Sequence, residues 1–315
     1  MSTLITDRSK SGVWATVGSL AFVWWNTSLS PPVTRKRSSK TDLDFVIAQV
    51  REIRHQTKFA VMGLGEVCTE DLAAIVAGLD DPHIGYHDAT NHSGRLKFDT
   101  AVIYDRSKVA LGQVSSAVDK YAGRSLKIGE VAEFISTLTE DAFKVVVSHW
   151  PSRLTLAEAS PARFELGSGL RWLVDRMQGE SRSFVVLMGD YNDDPFSPSL
   201  ADHLIATRDR SLARKKGLLY NPFWKWIGES HHLQDEAEQL GICGTHFYPD
   251  GNVSRWFTYD QMIFSSEFLQ DRSMVLDEAS SGVLALADLR AKVLNRREIF
   301  DHLPVLGTVE LRSKV

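Results

Sequence analysis

Short apolar runs recur along the chain at Leu20–Trp25, Phe59–Leu64, Thr100–Tyr104, Lys144–Ser148, Phe184–Met188, Gln261–Phe264 and Leu303–Leu311. Most are continuous rather than alternating, which predicts strands covered on both faces. Between them lie segments with helical spacing. Asp42–His55 carries Leu43, Val46, Ile47, Val50 and Ile53 on one side, with Thr41 as the expected N-cap. Asp71–Ala77 follows Thr69, a second expected cap. Arg163–Met177 follows Pro161 and carries Leu166, Leu170, Leu173 and Val174, and Ser199–Ala206 reads as a short fourth helix. Strands alternating with helices define an α/β class. With no internal repeat and no Gly/Ser- or Pro-rich linker, residues 1–315 read as one domain with its core at about 20–311. The least patterned stretch is Arg208–Trp256. It opens on a basic cluster (Arg208, Arg210, Arg214, Lys215, Lys216), read as a solvated face. It continues with Trp224 and Trp226, read as packing under a long loop.

Composition narrows this picture. A hydrophobic fraction of 43% suffices for a large core and excludes a disordered tail protein. The 36 basic and 40 acidic residues leave a net charge of −4, so no whole-molecule basic field exists to coat duplex DNA regardless of sequence. Cys68 and Cys243 make neither a disulfide framework nor a zinc motif, which points to a reduced, cytoplasmic setting. The apolar stretch Gly12–Trp25 is shorter than the ~20 residues of a membrane span. It lacks a small-residue cleavage site and its part Leu20–Trp25 reads as a buried strand, so no stable membrane association is expected.

The chemistry stands at the strand ends. Leu20–Trp25 ends in Asn26, Phe59–Leu64 in Gly65-Glu66, Lys144–Ser148 in His149, and Phe184–Met188 in Gly189-Asp190-Tyr191-Asn192. Asp260 opens the run Gln261–Phe264, and Asp301-His302 opens the last strand. Ligand sites of α/β sheets gather at such ends, where side chains meet solvent on rigid backbone. Carboxylates and amides are ligands for a hard cation such as Mg²⁺, and two histidines suit proton transfer near neutrality. No HExxH, P-loop or Gly-rich dinucleotide turn competes with this reading.

At these positions the sequence resembles the endonuclease/exonuclease/phosphatase superfamily. The matching stretches are WWN at Trp24–Asn26, GEV at Gly65–Val67, SHWPSR at Ser148–Arg153, GDYND at Gly189–Asp193, YDQMIFSS at Tyr259–Ser266 and DHLPV at Asp301–Val305. GEV alone is weak and GDxN and DHxPV are moderately specific; six in the family's order form a strong signal. The resemblance implies a four-layer α/β/β/α sandwich with two packed mixed β-sheets and hydrolysis of phosphoesters assisted by Mg²⁺ or Mn²⁺. The His149 signature of the family's deoxyribonuclease branch, with the basic and aromatic residues of Arg208–Trp256, points to a nucleic-acid substrate, DNA ahead of RNA. The alternatives are a phosphatase or phosphodiesterase of a small molecule or lipid, and a non-catalytic binding module of the same fold. By resemblance Asn26, Glu66 and Asp301 hold the metal, Asp190 orients or deprotonates water, and Asn192 contacts phosphate. His149 donates to a phosphoryl oxygen or leaving group. His302, paired with Asp260, binds phosphate or acts as base, so the base is Asp190 or His302. Where abasic-site endonucleases of the family carry an acid two residues after the first-motif Asn, this chain has Ser28.

The residues themselves allow plainer roles. Arg153 and Arg163 are expected as phosphate or loop-ordering contacts, and Asp193 and Asp194 as helix-capping or solvated acids. Asp99, Tyr104 and Arg106 fit a place near substrate and strand pairing equally well. The histidines other than His149 and His302 show no metal-ligand spacing.

Overall fold

The computed structural model describes residues 14–31, 38–90, 92–93, 96–179, 182–228, 243–284 and 286–315. Arg8, Lys10, Gly12, Pro32 and the pair His231-His232 lie outside these residues. Two large mixed sheets form the centre. The first holds six strands in the order Met274–Val283, Val305–Lys314, Trp14–Asn26, Val61–Gly65, Thr100–Asp105 and Ile84–Asp88. The second holds seven, in the order Ala206–Thr207, Leu219–Tyr220, Asp260–Phe264, Phe184–Asp190, Ala142–His149, Arg124–Ser136 and Val109–Tyr121. Parallel pairs sit at the middle of each sheet, Trp14–Asn26 beside Val61–Gly65 and Ala142–His149 beside Phe184–Asp190. Their carboxyl ends are therefore buried on both flanks and project side chains to one rim.

Three apolar layers hold the sheets. Phe22, Trp24, Val102, Phe134, Val145, Val147, Val186, Met188 and Phe264 fill the space between them. Val46, Val50 and Ile53 of helix Lys40–Thr57 and Leu72 and Ile75 of helix Thr69–Leu79 cover the outer face of the first sheet. Leu166, Leu170 and Val174 of helix Pro161–Gln178 cover the second. Helix, sheet, sheet and helix make the four layers that the resemblance implied.

The differences from the expected elements have local causes. The first strand begins at Trp14, because it pairs with the last strand as far as Trp14↔Lys314. Helix Lys40–Thr57 is capped by Ser39, not Thr41: the Ser39 hydroxyl accepts the Asp42 amide at 3.2 Å and the Asp42 carboxylate accepts the Ser39 amide at 2.8 Å. Thr69 does not cap the next helix either. Cys68 holds that position, its amide bonded to Asp71 at 3.0 Å, and the Thr69 hydroxyl donates to Asp88 at 2.7 Å. The expected helix Ser199–Ala206 is one π-type turn, Ser199–His203, followed by a two-residue strand at Ala206–Thr207. Among the described residues no helix is long and apolar enough to cross a membrane.

Candidate active site

Backbone register brings the site together. His149 and Asp190 end neighbouring parallel strands and pair directly, and Asp190 pairs with Asp260 on its other side. The close strand approach needs Gly189, since a Cβ there would lie 2.1 Å from the Ser148 carbonyl oxygen. Across the gap, Asn26 ends the first strand in register with Gly65, and Glu66 follows. A Cβ at Gly65 would meet the Trp24 ring at 2.7 Å, so glycine lets that indole lie beneath the site. The indole N–H donates to Asp260 Oδ1 at 2.8 Å. Ser28, Glu66 and Asn192 all stand in the left-handed region at φ of 57°, 52° and 51°. Non-glycine residues held there are strained and concentrate at functional sites.

Two imidazoles face one carboxylate. His149 Nδ1 meets Asp99 Oδ2 at 2.7 Å, and Asp99 Oδ1 accepts Lys127 Nζ at 2.6 Å. His302 Nδ1 meets Asp260 Oδ2 at 2.7 Å. Each ring then presents Nε2 to Asp190 Oδ2, at 3.8 Å from His149 and 3.7 Å from His302. His149 Nε2 also lies 3.8 Å from Glu66 Oε1. Asn26 joins the two halves, its Nδ2 donating to Glu66 at 3.3 Å and to Asp190 Oδ2 at 3.1 Å. Its oxygen accepts the Ser28 amide at 3.2 Å, so Asn26 here ties two carboxylates together with its nitrogen.

The charges follow from this packing. Burial disfavours a cationic His149, but Asp99, then Asp190 and Glu66, outweigh it and raise its pKa to about 9. His302 is raised well above its ordinary value, burial again being outweighed by Asp260, Asp301 and Asp190. Asp99 goes the other way: burial opposes its ionisation, yet His149 and Lys127 hold it below the usual carboxylate range. Glu66 is pushed up to about 7, first by burial and further by Asp301 and Asp99, despite His149 and His302. Glu66, Asp190 and Asp301 thus bring carboxylate oxygens to one rim around His149 and His302. That donor set fits a hard divalent cation. Two triads, Asp190–Asp260–His302 and His246–Asp301–His302, bring ligand atoms within 4.8 Å of one another.

Asn192 reaches the same rim, its amide N–H donating to Asp190 Oδ1 at 2.9 Å and its Nδ2 to the Trp150 carbonyl at 2.9 Å. Arg153 donates from Nε to the Asn192 carbonyl at 3.0 Å and lies 3.1–3.5 Å from Glu158, Asp193 and Asp194. Of its two expected roles, Arg163 takes the loop-ordering one. It is 1% exposed, and its guanidinium donates to the carbonyls of Pro151, Leu156 and Tyr191 beside Asp193. It orders the loops after the two central strands and presents no group to the cleft. Asp193 is correspondingly no solvated acid but lies beneath both arginines, and Asp194 accepts the Thr258 amide.

Sequence reasoning left Asp99 undecided and passed over Lys127 and His246. Asp99 proves to be the His149 partner. His246 pairs backbone to backbone with His302 and places Nε2 3.6 Å from Asp301 Oδ2. The one local signal for Asp99 was its place just before the strand Thr100–Asp105; His246 had none.

Residues 33–288 match the sequence profile described as the Endonuclease/Exonuclease/phosphatase family. No curated protein matches the chain. Solved structures of similar fold include the human Nocturnin catalytic domain with bound sulfate, 13% identical, covering 95% of this chain and 97% of that one at a TM-score of 0.59. A mannosyl-6-phosphatase from Bacteroides thetaiotaomicron is 14% identical, with 92% and 99% covered and a TM-score of 0.58. D. rerio TDP2 complexed with single-strand DNA product is 14% identical, with 92% and 98% covered and a TM-score of 0.55.

Proposed function

The chain belongs to the endonuclease/exonuclease/phosphatase family, whose members are phosphoester hydrolases, and from that premise we propose that it is a Mg²⁺- or Mn²⁺-dependent phosphodiesterase acting on nucleic acid, DNA first. The observation that carries the reading is the pair of carboxylate-anchored imidazoles, both turned to Asp190 Oδ2. Glu66 and Asp301, with Asp190 beside them, would hold the cation, which when bound would neutralise charge on the phosphoryl oxygens. Asp190 Oδ2 orients the attacking water in line with the scissile bond. His149 and His302 carry protons at Nε2 and donate to the phosphoryl and leaving oxygens as negative charge develops. Asp99 and Asp260 fix both rings through Nδ1. Asn192 gives one amide hydrogen to Trp150 and keeps the other for the phosphate.

A polymeric substrate is supported by what lies beside the site. Phe196 is 49% exposed, four residues from Asn192 and so within about 14 Å along the chain, with the Arg208 guanidinium 5.1 Å from its ring. An aromatic ring with a cation over it is a stacking platform for a base. The rival reading, a compact phosphoester, has its own support: Arg153 and Lys127, the long cations nearest the centre, are both tied to acids. Plasmid nicking with and without EDTA, run beside a panel of phosphomonoesters and lipid phosphoesters, separates the two. Cation-dependent nicking supports the nuclease; turnover of the panel alone moves the substrate to a small molecule. Activity on neither returns the fold to a binding role.

A further inference from the structure

His246 is the third histidine at the rim, and nothing above gives it a task. Its position is over-determined. The strand pair His246–Phe247 and Trp256–Phe257 carries it, and its backbone bridges to His302. The Phe247 amide donates to the Asp301 carbonyl at 2.8 Å, and the Leu303 amide to the Thr245 carbonyl at 2.7 Å. The ring stacks on Tyr259 with centroids 5.1 Å apart and planes 19° from parallel, and its centroid lies 4.5 Å from that of His302. These contacts aim Nε2 at Asp301 Oδ2, at ion-pair range though longer than a hydrogen bond.

The other end of the ring decides what Nε2 can do. His246 Nδ1 is buried and has no hydrogen-bond partner. A proton placed there would be a buried donor without an acceptor. The neutral ring therefore carries its proton on Nε2, where it points at Asp301. A histidine that ligates a metal through Nε2 normally gives its other N–H to an acceptor, and His302 meets that condition through Asp260 whereas His246 does not. His246 is thus suited to donate to Asp301, not to ligate. The opposite oxygen, Asp301 Oδ1, accepts the Ser28 hydroxyl at 2.9 Å.

We propose that His246 is a positioning residue of this site, which with Ser28 clamps the Asp301 carboxylate from its two oxygens and so sets how tightly the site holds its divalent cation. The inference rests on the cation reading given above. It also gives a role to Ser28, which stands where the abasic-site branch carries an acid: two donors hold Asp301 in place of an added carboxylate.

The test is a Mn²⁺ titration of the full chain, followed by electron paramagnetic resonance, for wild type, His246→Phe, His246→Gln and Ser28→Ala. Nitrogen-15 NMR of the His246 ring is recorded in EDTA. Phe keeps the stack on Tyr259 and removes the donor, so His246→Phe is expected to bind Mn²⁺ about 10-fold more weakly with an unchanged melting temperature. Gln restores an N–H and is expected to recover most of that affinity, while Ser28→Ala weakens binding in the same direction. Wild-type affinity in His246→Phe, or His246→Gln as weak as His246→Phe, overturns the clamp. An Nδ1–H tautomer overturns it while leaving the cation reading intact, and this readout serves even where His246→Phe does not fold. A wild-type chain that takes up no Mn²⁺ overturns both.

Discussion

Asp99 is the residue whose replacement reads the electrostatics of the site most fully. It is 1% exposed and lies between His149 Nδ1 and Lys127 Nζ, at 2.7 and 2.6 Å. Asp99→Asn keeps the shape and removes the charge. Burial alone would lower the His149 pKa, so the rise from 6.5 to about 9 is owed to its acids, Asp99 foremost. That rise corresponds to about 3 kcal/mol of preference for the imidazolium. Because the folded-state value lies above the unfolded one, this stability is fully present below about pH 6.5 and is lost as pH rises through about 9. Lys127, 6% exposed, adds a second cost through its unpaired buried charge, and that cost persists at both ends of the range. At roughly 2–4 °C per kcal/mol, the His149 share amounts to about 6–12 °C of melting temperature near pH 6 and little of it near pH 9.5. Thermal melts of both proteins in EDTA at the two pH values measure it. An equal difference at both pH values, or a His149 that still titrates near 9 in the variant, would refute the reasoning.

Other outcomes follow from the same contacts. Glu66 carries a carboxyl raised from 4.5 to about 7, an acid whose ionisation burial opposes, so it lowers stability as pH rises through that range. Glu66→Gln is expected to raise the melting temperature of the cation-free protein at pH 8 by relief of about 3 kcal/mol, and to lower hydrolysis about 100-fold or more, both read on one preparation. Arg163→Met strands three carbonyls and Asp193, and should cost about 3–5 kcal/mol in a denaturant melt; a raised KM without loss of stability would instead make Arg163 a substrate contact. Gly189→Ala places a methyl 2.1 Å from backbone oxygen and should abolish soluble expression; a normal yield would contradict the strand packing described here.

What the sequence revealed and concealed has a physical pattern. The central strands were legible because both their faces are covered, which makes continuous apolar runs such as Phe184–Met188. The long hairpin Val109–Tyr121 with Arg124–Ser136 was not, because its outer strand is an edge with most side chains in solvent. The motif residues were legible as strand-end acids, amides and histidines, and register brings His149, Asp190 and Asp260 side by side. The Asp99 partnership was hidden because it joins positions 50 residues apart across two sheets. Arg163 stayed between a phosphate and a loop-ordering role because only packing shows carbonyls waiting for its guanidinium. Ser39 lost to Thr41 as expected cap although Ser39 and Asp42 have the capping-box spacing.

In the function proposed, Asp190 between two anchored imidazoles hydrolyses phosphoesters with the help of a divalent cation. The most direct measurement is the initial rate of bis(p-nitrophenyl) phosphate hydrolysis by wild type and Asp190→Asn, each with Mg²⁺ or Mn²⁺ and with EDTA. Cation-dependent turnover is expected in wild type, with a loss of about 100-fold or more in an Asp190→Asn protein that is folded at the assay temperature. Turnover by wild type that survives EDTA, or an Asp190→Asn protein as active as wild type, would contradict it.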